Sequence, residues 1–244
     1  MRLLARLCVF LALLWGTAAQ GAWTFVKGAQ ETSGSGTSAS VSLSSAVTSG
    51  DVLACEAFLN GVSSNTISSI TDDKSNTYSV VNSVTVTGGS GTWDTVAFWS
   101  GGALTNGPTT ITVNSSTSLG NLWITCDEFT PPAGTLSLDG NATNSGFTAN
   151  PTTGSFTTTV NGDLIYAGNF NNNTSTAGSG FTATEGSGTD FTSEQQTQTN
   201  AGAINASFTA AGTNQWSANA FALSAVVSGG PTCPATLALM GVGC

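Results

Sequence analysis

From residue 23 onward, apolar and polar positions alternate with a period of two in short runs bounded by Gly, Ser and Asn, and no window carries apolar residues at helical spacing. Ala39, Val41 and Leu43 are separated by serines, and Tyr78, Val80, Val84 and Val86 share one face against Thr77, Ser79, Val81, Ser83 and Thr85. Such patterns predict half-buried antiparallel strands. Further runs lie at residues 51–59, 95–100, 109–114, 121–129, 156–160, 163–170, 203–208 and 216–224. About ten or more short strands joined by Gly-rich turns predict an all-β chain, an antiparallel β-sandwich of jelly-roll type.

Two internal echoes predict a pseudo-repeat. Gly50-Asp51-Val52-Leu53 with Phe58 and Asn60 returns, at one constant offset, as Gly162-Asp163-Leu164-Ile165 with Phe170 and Asn172. Ile111, Val113, Asn121 and Trp123 return in the same order as Ile204, Ala206, Asn214 and Trp216. The second offset is shorter, which places extra strand or loop in the first half around residues 72–100. The expected organisation is a leader at 1–21, one sandwich domain at 22–228, and a Gly/Pro linker with a short Cys-bounded tail at 229–244.

The leader reads as a secretory signal peptide. Arg2 and Arg6 are followed by an apolar run at residues 7–15, too short to span a bilayer, and then by the small residues Thr17, Ala18, Ala19 and Gly21. The expected setting is secreted, either extracellular or at a cell surface, with no transmembrane helix in the mature chain. Beyond the leader there is no histidine or arginine, and Lys27 and Lys74 face thirteen acids. A neutral-pH imidazole base, an Arg or Lys phosphate cradle and a His/Cys zinc site are thereby excluded. The acidity also argues against nucleic acid as a partner. Neutral glycans, other protein surfaces, self-association or calcium are the compatible partners.

Cys55, Cys126, Cys233 and Cys244 form an even set in an exported chain, so disulfide pairing is expected. Cys55 shares strand parity with Leu53, Ala57 and Leu59, and Cys126 with Leu122 and Ile124. A Cys55–Cys126 bridge between core-facing strands follows. An immunoglobulin assignment fails, because no Trp follows Cys55 at the expected distance and Ile124, not Tyr, stands two residues before Cys126. In the tail, Cys233 and Cys244 enclose Leu237, Leu239 and Met240, which read either as a disulfide clip or as an apolar tag for assembly.

Carboxylates are the remaining acid/base groups. With the cysteines facing inward, Glu56 and Asp127 project from the opposite face near Trp123, the arrangement by which a sandwich glycosidase would use one acid and one base or nucleophile. Solvated strand-edge acids are the plainer reading. Asp72, Asp73 and Asn76 gather oxygen ligands in one turn, as calcium loops do, although Asp and Asn also enter such turns by bonding their own backbone. Trp93, beside Asp94 in a Gly-rich segment, is the candidate for stacking on a sugar face.

The segments Ile70-Thr71-Asp72-Asp73-Lys74-Ser75-Asn76-Thr77-Tyr78, Ala97-Phe98-Trp99, Thr109-Thr110-Ile111-Thr112-Val113 and Gly162-Asp163-Leu164-Ile165 resemble a loosely defined group of secreted bacterial and phage-associated β-sandwich modules. The resemblance spans residues 23–224 and implies a jelly-roll-like fold at an extracellular or virion surface, with no reaction attached. The Cys55/Cys126 pair departs from that pattern. The leading expectation is a non-catalytic structural or adhesive module; the alternatives are a glycan-binding module and a glycoside hydrolase using Glu56 and Asp127.

Overall fold

The computed structural model describes residues 21–33, 35–61, 67–88 and 91–226. The expected leader, apart from Gly21, and the tail with Cys233, Leu237, Leu239, Met240 and Cys244 lie outside these residues. The described chain is all-β, with antiparallel pairing throughout: β1 (Thr24–Ser33), β2 (Gly36–Ser42), β3 (Val52–Asn60), β4 (Ile67–Asp72), β5 (Ser79–Gly88), β6 (Gly91–Trp99), β7 (Thr110–Leu119), β8 (Leu122–Thr130), β9 (Thr135–Thr148), β10 (Phe156–Thr157), β11 (Asp163–Ala177), β12 (Thr182–Ala183), β13 (Thr189–Gln198), β14 (Ala203–Ile204), β15 (Phe208–Ala210) and β16 (Asn214–Val226).

The first half forms a five-stranded sheet, β1-β8-β3-β6-β5, faced by a three-stranded sheet, β2-β7-β4. That order is jelly-roll-like, with β5 joined to β6 at the edge of the larger sheet rather than to β4. The second half repeats it as β9-β16-β11-β13-β12, with β10 paired to β14 and the far end of β11 paired to β15 in place of a separate three-stranded sheet. The Gly-Asp echo therefore marks equivalent central strands, β3 and β11. The Trp123/Trp216 echo marks the strands paired to them, β8 and β16. The extra length of the first half falls in β4 and the ten-residue β5, where the second half has only the two-residue β12.

The five-stranded sheet and the second-half sheet, six-stranded with β15, pack face to face, and each carries short strands on its outer side. On the outer face of the first sheet, Leu53, Cys55, Ala57 and Leu59 of β3 meet Val41, Ile111 and Val113. On its inner face, Val52 and Ala54 meet Leu164, Tyr166, Phe221 and Leu223 of the second sheet. The outer face of the second sheet buries Ile165, Ala167 and Ala218 against Phe156, Ala206 and Phe208. A strand buried on both faces has no polar side left, which is why β3 is apolar at nearly every position except Glu56.

Cys55 and Cys126 are directly opposite in the β3/β8 register and are joined by a disulfide, with Cα atoms 4.2 Å apart. The bridge links neighbouring strands of one sheet, unlike the intersheet bridge of antibody domains. Replacing both cysteines by alanine is expected to lower stability by roughly 2 to 5 kcal/mol, read as an earlier denaturant midpoint at an unchanged slope; an unmoved midpoint would refute a stabilising role.

Candidate functional site

Along the inner face of β3 the side chains run Val52, Ala54, Glu56, Phe58, and along β11 opposite they run Leu164, Tyr166, Gly168, Phe170. Two apolar clusters thus bracket a polar layer. Below it lies the Phe129, Tyr166 and Phe221 group; above it Phe58 stacks on Phe170 with centroids 3.5 Å apart, beside Trp93, Trp123 and Phe191. Within the layer, Thr95 Oγ1 donates to Asn219 Oδ1 at 3.5 Å and Trp93 Nε1 to Ser217 Oγ at 3.0 Å.

Glu56 is the centre of this layer and is 0 % exposed. Neither carboxyl oxygen has a hydrogen-bond partner. Its space exists because β11 has a glycine opposite: a Cβ on Gly168 would lie 2.0 Å from Glu56 Oε2. Burial pushes the pKa well above the carboxylate range, the nearby Gly168 backbone offsets part of that, and the charge of Asp127 adds to it. Burial therefore favours the neutral form of Glu56.

Asp127 shares the inner face of β8 with Trp123 and Thr125, and it is also 0 % exposed. Its Oδ2 accepts from Tyr166 Oη at 2.8 Å, Thr184 Oγ1 at 2.7 Å and Ser193 Oγ at 3.2 Å. Its Oδ1 sits where a side chain on Gly28 of β1 would begin, 1.9 Å from that ideal Cβ position; Glu185 Oε1 lies 2.7 Å from the same point. Burial raises Asp127 to about 7, the three hydroxyls pull it down and Glu185 pushes it up. The turn between β12 and β13 carries Thr184 and Glu185 over this edge, tied there by Gln30 Nε2 donating to Phe191 O at 2.8 Å.

Glu56 and Asp127 do lie together on the face opposite the disulfide, but that face is covered by the packed second sheet, so they are neither substrate-facing nor solvated strand-edge acids. Trp93 also needs correction. It lies inside β6, 2 % exposed, and neighbouring Asp94 is 0 % exposed, because the β5/β6 hairpin turns between Gly88 and Gly91 and leaves Trp93 in the strand proper. Neither can stack on or bond a surface sugar. Asp94 points to the other face of the sheet, takes Thr85 Oγ1 at 3.2 Å and is raised to about 6 by burial.

In the turn after β4, every carboxylate oxygen has a protein donor. Asp72 accepts from the Lys74 and Asn76 amides, Asn76 Nδ2 and Tyr78 Oη. Asp73 accepts from the Thr109 and Thr110 amides and Thr109 Oγ1. These bonds hold both acids below the usual range against some burial, Asp73 at about 2. Among the described residues no group of three or more His, Cys, Asp or Glu is placed to hold a metal ion.

The equivalent aspartates Asp51 and Asp163, read only as turn markers, are both buried and both paired with a second acid. Asp163 is raised to about 8 by burial and by Asp139, whose own oxygens take the Thr159 and Val160 amides and Thr159 Oγ1. Asp51 is raised to about 6 by burial and by Glu128, which in turn meets Lys27. On the surface, an open cleft of about 610 Å³ lies where the end of β5 approaches β9 and β16. Thr85, Thr87, Ser145 and Gln215 line it without a charge, and Phe147 at its rim is 67 % exposed.

No protein family, curated protein or solved structure matches this chain.

Proposed function

We propose that the protein is a non-catalytic extracellular module, structural or adhesive, displayed at a cell or virion surface. One observation carries the non-catalytic part: the two acids best suited to glycoside hydrolysis are sealed between two sheets. A carboxyl group that substrate and water cannot reach cannot act as acid or nucleophile. The disulfide fits an oxidising compartment, and among the described residues no helix is long and apolar enough to cross a membrane. The uncharged cleft with its exposed Phe147 favours a neutral glycan as the adhesive ligand, since sugars offer hydroxyls to Thr and Ser and a C–H face to an aromatic ring.

The test compares the mature chain with Phe147→Ala and Glu56→Gln on a panel of surface polysaccharides, scoring both binding and hydrolysis. Binding without hydrolysis, weakened about tenfold or more by Phe147→Ala and untouched by Glu56→Gln, is the expected result. Turnover abolished by Glu56→Gln would overturn the non-catalytic reading. Retention on cell envelopes that survives Phe147→Ala would leave adhesion standing and remove the glycan cleft.

A further inference from the structure

Lys27 of β1 stands opposite Glu128 of β8 in the strand register, beside an irregularity that shifts the pairing between Phe25 and Lys27. Lys27 Nζ is 2.5 Å from Glu128 Oε2 and 3.0 Å from Ala46 O. Glu128 is 0 % exposed, and its Oε1 accepts the Thr48 amide at 2.8 Å. Asp51, at the head of β3, lies against Glu128 and is held from behind by Thr130 Oγ1 at 3.0 Å.

An ammonium bonded to a carboxylate sits about 2.7 to 2.9 Å away along a lone-pair direction. Here the nitrogen is closer, yet Glu128 Oε2 accepts no hydrogen bond of normal geometry. The ammonium holds Glu128 below the usual carboxylate range against the effect of burial, so the resting pair is charged and in close contact. We propose that Lys27 and Glu128 are a covalent modification site, joined by an intramolecular amide between Nζ and Cδ, with Asp51 as the proton carrier.

The step balances within these three residues. One proton passes from the Lys27 ammonium to the Glu128 carboxylate, leaving a neutral amine and a neutral acid. The Nζ lone pair attacks Cδ and the C–N bond forms. Asp51 gives its proton to the departing oxygen and recovers one from Nζ, the C–O bond breaks and one water leaves. Asp51 ends as it began, and no oxidant or cofactor enters. The product would fasten β1, the edge strand of the first sheet, to β8, which the disulfide already joins to β3. In the second half Asp163 meets the carboxyl group of Asp139 and no lysine, so no such bond can form there.

The test is the mass of the folded, then reduced and denatured, mature chain. It is expected to be one water lighter than its sequence. Trypsin should cut after Lys74 and leave Lys27 uncut, because an acylated lysine is not a substrate, and fragmentation should join the segments holding Lys27 and Glu128. Asp51→Asn should restore the full mass and cleavage after Lys27; should it fail to fold, Lys27→Arg supplies the control, since arginine cannot form this amide. A full-mass wild-type chain cut readily after Lys27 overturns the proposal in favour of an ion pair. So does a water loss that maps elsewhere or persists in Lys27→Arg.

Discussion

Thermal stability should be highest near about pH 4 to 5 and fall steadily as the pH is raised to about 8, the reverse of a chain whose carboxylates are stabilised by ion pairs. The cause is the set of buried acids. Asp127 is raised to about 7, Asp163 and Glu194 to about 8, Asp94 to about 6, and Glu56 well above the ordinary range, each chiefly by burial. In the unfolded chain these groups titrate near pH 4. Between the unfolded and folded values the folded chain therefore binds more protons, and stability decreases with pH across that window. For Asp127 alone the shift corresponds to on the order of 4 kcal/mol over its full range. Asp72, Asp73 and Asp139 act in the opposite sense: their lowered values give stability that is present above about pH 4 and lost toward pH 2. A maximum between the two windows follows. Melting followed by circular dichroism, at low concentration because the isoelectric point is about 4.1, checks it. Glu56→Gln should raise the melting temperature at pH 7.5 while leaving it nearly unchanged at pH 4; a wild-type melting temperature that rises from pH 5 to 8 would refute the account.

The strands most legible in the sequence were the largely apolar central ones, β3, β8, β11 and β16, and their order in the two halves could be read from the Gly-Asp and Trp echoes. β1, β9 and β13 were not anticipated. β9 is an edge strand with no buried side chain, so selection for an apolar face is absent. β13 buries Ser193 and Glu194 on opposite faces, one against Asp127 and the other against the Gly178 amide, and a strand that buries polar groups loses the period-two signal. Parity placed Glu56 and Asp127 correctly on the face away from the disulfide, but what covers that face depends on contacts between residues over a hundred positions apart. Tyr166, Thr184 and Ser193 were missed because they meet Asp127 only through tertiary packing, from 39, 57 and 66 positions away. A usable signal did exist: isolated glycines inside strand patterns, Gly28 and Gly168, mark places where another group approaches the backbone.

That signal leads to the largest expected single-residue effect. Gly168→Ala should cost about 3 kcal/mol or more, because its Cβ would lie 2.0 Å from Glu56 Oε2 and 2.3 Å from Cδ in a layer closed on both sides by packed aromatics. The carboxyl group cannot swing away into solvent, and β11 cannot shift without breaking its registers with both β13 and β16. The cost is therefore steric and belongs to one pair of residues. Glu56→Ala in the Gly168→Ala background removes the colliding group and should restore most of the loss, giving a coupling of about 1 to 3 kcal/mol in a double-mutant cycle. Glu56→Gln in the same background keeps the volume and should restore almost nothing, which separates crowding from protonation. Denaturant unfolding of the four chains decides the matter: additive effects of Gly168→Ala and Glu56→Ala would mean that the glycine is needed for something other than making room for Glu56.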